Sequence, residues 1–139
     1  MKLLCFQAKR FRWKTHAKTL PEVADLSVEA EVLEAVVALI HAESSDADPA
    51  RSLSVQRQAL KHLKWLANKR AFKNIVLHSF THLGGNTAEP AFAESFIAAL
   101  AERLRDAGYQ VWTTPFGYFC EWDLNVYGES LAKVWKEIR

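Results

Sequence analysis

Apolar and polar side chains alternate most regularly near the C-terminus, where Tyr118, Cys120, Trp122, Leu124 and Val126 interleave with Phe119, Glu121, Asp123, Asn125 and Tyr127. A period of two puts the sets on opposite faces, which predicts a half-buried strand. Just before it, Tyr109–Thr114 is rich in aromatic and β-branched residues and predicts another strand. Pro115, with a fixed φ and no N–H, and Gly117, free to take φ > 0, predict a rigid turn whose backbone polar groups are available to a ligand. Asn74–Phe80 reads as a short apolar strand. Arg10–Lys14 puts Phe11 and Trp13 on one face and bases on the other, and a strand pair bent around Ala8 to Arg10 is expected. Residues 28–43 stay open: Glu29–Ala35 favours helix, whereas Val36–Ile40 fits a buried strand equally well.

Helical periodicity takes over elsewhere. From Ser54 to Arg70, Val55, Ala59, Leu63 and Leu66 make an apolar stripe opposite Arg57, Lys61 and Lys64. The polar run Ser44–Pro49 predicts the loop before it, and Leu83–Thr87 predicts a second loop. A second helix follows, with Thr87 as N-cap, Pro90 in the first turn, Phe92, Phe96, Leu100 and Leu104 as its core stripe, and Gly108 ending it. Leu131, Val134, Trp135 and Ile138 predict a third helix from about Glu129 to Ile138. Strand, helix and strand over 74–114 predict a crossover between neighbouring parallel strands, with the strand after Gly117 antiparallel. The fold class expected is α+β: one domain over residues 1–139, a mixed sheet covered by helices.

Composition narrows the function. Half of the 139 residues are apolar, enough for one core without disulfides or metals. No stretch is long and apolar enough to span a bilayer, and Met1–Phe6 is too short for a signal peptide, so a cytoplasmic protein is expected. Cys5 and Cys120 lack metal-site spacing, and His78 and His82, about 13 Å apart if both lie on a strand, are too far apart to share a metal. No cofactor is expected. The net charge of +2 hides two basic segments, residues 1–20 with six Lys/Arg and residues 49–88 with seven, neither containing an acid. They are read either as a phosphate-binding patch or as solvated faces. The candidates for touching a nucleic-acid backbone are Lys9, Arg10, Arg12, Lys14, Arg57, Lys61 and Lys64.

Four segments, Asn74–Gly85, the helix from Pro90 with Ala107–Val111, Pro115–Phe119 and Tyr127–Ala132, resemble in order and spacing the N-terminal editing domain of archaeal-type threonyl-tRNA synthetases. The resemblance is strong over 74–132 and weaker over 1–50. It implies a fold like that of D-aminoacyl-tRNA deacylases, a homodimer, a pocket for the 3′-terminal adenosine and its aminoacyl group, and hydrolysis of seryl-tRNA mischarged onto threonine tRNA. Such a second sieve has a physical reason, because one methyl group separates threonine from serine and supplies only about 1–3 kcal/mol of discrimination. The resemblance assigns His82 and the turn residues Phe116, Gly117 and Tyr118 to the pocket, with Thr81 and Phe119 beside them. It also implies that backbone groups and the terminal ribose hydroxyl, rather than many side chains, manage the water.

The chain departs from the family pattern at reactive positions. Phe119 stands for a tyrosine, Cys120 for a lysine, Glu129 for a histidine, Lys133 for a glutamate, and Gln7–Lys9 for acidic or polar residues. Cys120 is read either as a nucleophile with His82 as its base, or as a small buried apolar residue on the face of Tyr118, Trp122 and Leu124, which its alternation favours. With the chain ending at Arg139, the leading expectation is a freestanding deacylase acting in trans. The alternatives are a silenced adenosine- or tRNA-binding module and a deacylase with altered aminoacyl specificity.

Overall fold

The computed structural model describes residues 1–139. Six strands form one mixed sheet: β1 (Lys2–Lys18), β2 (Glu29–His41), β3 (Asn74–Ser79), β4 (Gln110–Thr113), β5 (Tyr118–Val126) and β6 (Lys133–Glu137). Two helices, α1 (Ser52–Asn68) and α2 (Pro90–Asp106), connect β2 to β3 and β3 to β4. The strand order is β4-β3-β2-β1-β5, with β6 beside the first part of β1. β2, β3 and β4 run parallel, as crossover helices require, and β1 is antiparallel to β2, β5 and β6.

Both helices cover one face. Val55, Ala59, Leu63 and Leu66 of α1 and Phe96, Leu100 and Leu104 of α2 pack on Leu3, Cys5, Val36, Ala38, Ile40, Ile75 and Leu77. The expected α1 stripe is therefore the buried one, with Arg57 and Lys61 exposed. In α2 the cap differs from the expectation. Pro90 occupies the first helical position, so the N-cap is Glu89, held extended by the proline after it, and Thr87 lies outside. Gly108 takes φ 97 just past the cap residue Ala107, as expected for a C-terminal stop.

Residues 28–43 resolve as a strand, because β2 lies between β1 and β3 and its Ala35–His41 run is buried on both faces. The N-terminus is one continuous strand rather than a bent pair. Its irregularity does fall at the expected place. Lys9 faces Glu34, which has φ 51, and there the pleat breaks on both strands together. Ala8 pairs with Ala35 and Arg10 with Leu33, so the register is kept while the side-chain alternation shifts by one. Ala8, Phe11 and Trp13 consequently share one apolar cluster, as do Ala35 and Val32.

The third helix is absent. Ser130–Ala132 makes a short 3-10 turn and Lys133–Glu137 is β6, paired from Phe6↔Lys133 to Lys2↔Glu137. Ten residues are too few for a stable isolated helix. The first part of β1 would otherwise present unpaired backbone groups, and the edge wins.

The second apolar cluster needs no helix because the sheet curls over it. In a flat sheet β3 and β5, three places apart, would lie about 14 Å from one another. Instead the ring of Trp122 on β5 meets that of His78 on β3 edge-on, with centroids 5.0 Å apart. The turn after β4 thus does not make a hairpin. Residues 114–117 bridge the open seam between the two edges of the curled sheet, and β5 pairs with β1 instead.

Candidate active site

A cavity of about 710 Å³ lies in that seam. Its wall includes Thr81, His82, Phe116, Gly117, Tyr118, Phe119 and Cys120, so every pocket residue expected from sequence is brought into one place. Three elements position them. The alternation of β5 turns Cys120 and Trp122 inward, the end of β3 and the loop after it supply His78 to His82, and Thr114–Gly117 crosses above.

Individual roles are less uniform. His82 is exposed, with its ring edge on Phe80 at 5.1 Å and no hydrogen-bond partner. Cys120 is half-buried, and burial pushes its thiol up. A thiol held protonated is a poor nucleophile, and no hydrogen bond joins Cys120 to His82, which favours the apolar reading over the nucleophile, though the residue is half-buried in the cavity wall rather than fully buried in the core. Tyr118 lines the cavity, but its hydroxyl accepts from Leu26 N at 2.8 Å and donates to Ala24 O. That hydroxyl fastens the loop after β1 across the turn. The same loop donates Thr19 N (2.7 Å) and Leu20 N (3.3 Å) to Gly117 O, and Thr19 and Leu20 join the cavity wall.

Gly117 is where this loop comes closest. It has φ 82, and a Cβ there would stand 2.8 Å from Val23 Cγ1 and 3.3 Å from Leu20 Cδ1. Gly117→Ala is expected to lower stability by about 1–3 kcal/mol, from the left-handed backbone and the clash together. It should also release residues 19–28 to protease. Unchanged melting and an unchanged limited-proteolysis pattern would count against this fastening.

None of the nucleic-acid candidates lines the cavity. Arg12 is committed to Asp123 (2.6 Å), Glu121 (2.8 Å) and Glu29 (3.6 Å), and Arg10 to Glu31 (3.0 Å). Lys14, Arg57, Lys61 and Lys64 form no ion pair. Lys9 lies over the Tyr127 ring at 5.3 Å. Glu129 and Lys133, two of the departures from the family pattern, are engaged elsewhere. Glu129 pairs with Arg70, whose guanidinium also reaches Gln7 Oε1 at 2.8 Å, and Lys133 bonds backbone carbonyls of residues 127–129.

Among the wall residues that sequence reasoning passed over are His78, Thr114 and Trp122. His78 was weighed only as a metal partner of His82, and Thr114 and Trp122 only as strand residues. The signal was present: in Asn74–Phe80, His78 shares a face with Val76 and Phe80, opposite Ile75 and Leu77.

The structure is similar to the c-Myc DNA Unwinding Element Binding Protein, with a TM-score of 0.64 and 15% identity, covering 100% of this chain and 99% of that one. A likeness at that identity concerns the fold, and the class is α+β, D-aminoacyl-tRNA deacylase-like. Within that class, residues 1–138 match the family model described as the archaea-specific editing domain of threonyl-tRNA synthetase, and the chain belongs to this family. Similar relatives include the threonine–tRNA ligases of Hyperthermus butylicus (29% identical, covering 96% of this chain) and Nanoarchaeum equitans (27%, covering 100%). The chain spans 22% of the length of each.

Proposed function

We propose that the domain is an aminoacyl-tRNA deacylase that hydrolyses the ester of seryl-tRNA mischarged onto threonine tRNA and acts on it in trans. The observation that carries this reading is the seam cavity, whose wall collects the backbone of the Phe116–Gly117 turn and the residues matched to an editing-domain family. The 3′-terminal adenosine fits the exposed mouth at Thr81, His82, Thr87 and Phe119, and the aminoacyl group the buried end. Water is held by backbone groups and the ribose hydroxyl of the tRNA, with His82 assisting. Lys14, Arg57, Lys61 and Lys64, free of carboxylate partners, are the more available bases for the acceptor backbone. No helix is long and apolar enough to cross a membrane, and a tRNA substrate puts the action in the cytoplasm.

The test is deacylation of seryl-, threonyl- and D-aminoacyl-tRNA by the 139-residue chain alone. Hydrolysis of the seryl ester at least tenfold faster than that of the threonyl ester is expected. Equal rates, or a D-aminoacyl preference, would replace the reading with an altered specificity.

A second reading is a module that binds the adenosine end without hydrolysis, favoured by Cys120 at the position where the family has lysine. Either reading includes a homodimer, which is supported by the exposed Trp135 opposite the half-buried Leu4 across the β6–β1 pair. Sedimentation equilibrium checks it: a mass near 15.8 kDa at micromolar concentration would exclude the dimer.

A further inference from the structure

We propose that His78, fixed in orientation by Thr114, selects the acyl part of the ligand, favouring an aminoacyl group with a side-chain hydroxyl over one without. This rests on reading the cavity as an aminoacyl-ester site.

His78 is buried, 6% exposed, and its Nδ1 lies 2.7 Å from Thr114 Oγ1. The sealed polar atoms lacking a partner are Trp13 Nε1, Arg51 Nε, His62 Nε2 and Trp122 Nε1. Nε2 of His78 has no protein partner and is not among them, so it opens onto the cavity that His78 lines. Around it the wall is apolar: Trp122, which meets the imidazole edge-on, and Phe80, whose ring centre lies 6.3 Å away. Of the other polar wall residues, Ser79, half-buried, follows His78 in β3 and so faces the other side of the strand, and Thr19, Thr81, His82 and Thr87 are exposed and lie toward the mouth. A ligand whose bulky nucleoside stays there presents its smallest end to His78.

Burial lowers the imidazole pKa to about 4, so at neutral pH it carries one donor and one acceptor nitrogen. So weak a base does little for water activation at that pH, which separates this role from general-base catalysis. With Nδ1 taken by the Thr114 hydroxyl, Nε2 offers the remaining function, donor or acceptor. An alcohol satisfies either, and a methyl group neither. A ligand without the hydroxyl strips water from Nε2 and replaces it with nothing, which weakens binding by about 5- to 100-fold.

The experiment is calorimetric titration of the chain with two non-hydrolysable probes, 3′-amide-linked seryl-adenosine and alanyl-adenosine. The wild type should bind the seryl probe at least fivefold more tightly. Thr114→Val, nearly constant in volume, and His78→Phe should bring the ratio to about one by weakening only the seryl probe. A wild-type ratio within twofold, or a preference that survives in Thr114→Val, overturns the proposal while the aminoacyl-ester reading stands. Binding of neither probe overturns both. Should His78→Phe fail to fold, the wild-type ratio and Thr114→Val decide.

Discussion

Lysine in place of Cys120 is expected to raise the rate of seryl-tRNA hydrolysis by about 10²-fold, the scale of one well-placed donor to a developing oxyanion. The position is suitable: residue 120 points inward from β5, on the face of Trp122, within the wall that holds His82 and the Phe116–Gly117 turn. Burial that disfavours charge at Cβ is relieved by a long stem, which carries the ammonium toward the mouth. Single-turnover deacylation of both proteins separates the two functional readings. Slow hydrolysis by the wild type, accelerated in Cys120→Lys, fits a deacylase working through backbone groups. No hydrolysis by the wild type and clear activity in the variant fits a silenced module. Identical rates would show that residue 120 does not limit the chemistry.

Asp46→Ala is expected to cost about 3–5 kcal/mol of folding stability, because it strips the partner from buried charge. Asp46 is fully buried. Its Oδ1 accepts from the Met1 ammonium at 3.1 Å and from Arg51 at 3.3 Å, and its Oδ2 from Glu43 N at 2.8 Å. The same ammonium and Arg51 both donate to Ile138 O, so the cluster ties β1 to the end of the chain beyond β6. Without Asp46 the ammonium keeps Glu43 at 2.8 Å, whereas Arg51 keeps no carboxylate partner. Guanidinium melts measure the loss, and one below about 1 kcal/mol would show that Glu43 compensates.

Acid should dissolve the same cluster. Burial works against ionising Glu43, but Lys2 and the amino terminus outweigh it and hold the carboxyl at about 2, against 4.5 unperturbed. A folded-state value below the unfolded one gives stability that is complete above pH 4.5 and is lost as pH falls through 2, up to about 3 kcal/mol. Glu43→Gln should flatten that part of the stability profile.

The strands and helices bounded by strong local chemistry were legible in the sequence. Alternation placed β5, proline and glycine bracketed α2, and the Pro115–Phe119 match located the cavity wall. What failed depended on neighbours that periodicity does not see. The 131/134/135/138 spacing fits a helix, yet the unpaired edge of β1 makes that segment β6. A second contact of Tyr118 was hidden for a similar reason: the residue lines the cavity, but its hydroxyl is claimed by a loop 92 residues earlier in the chain. The basic residues of β1 are equally hard to judge alone: Arg12 looks free until Glu121 and Asp123 of β5 are set beside it.

The bridge over the seam also bears on how such a site can change. The width of the opening is set by the reach of a short stretch of chain, residues 114–117, pinned to Leu77 O through Thr114 N at one end and to the loop after β1 through Gly117 O at the other. Backbone length, not the side chains facing inward, is the caliper. Residues on the inner wall can therefore be exchanged, lysine for cysteine among them, without the aperture closing, whereas inserting or deleting a residue in the bridge would reset it at once.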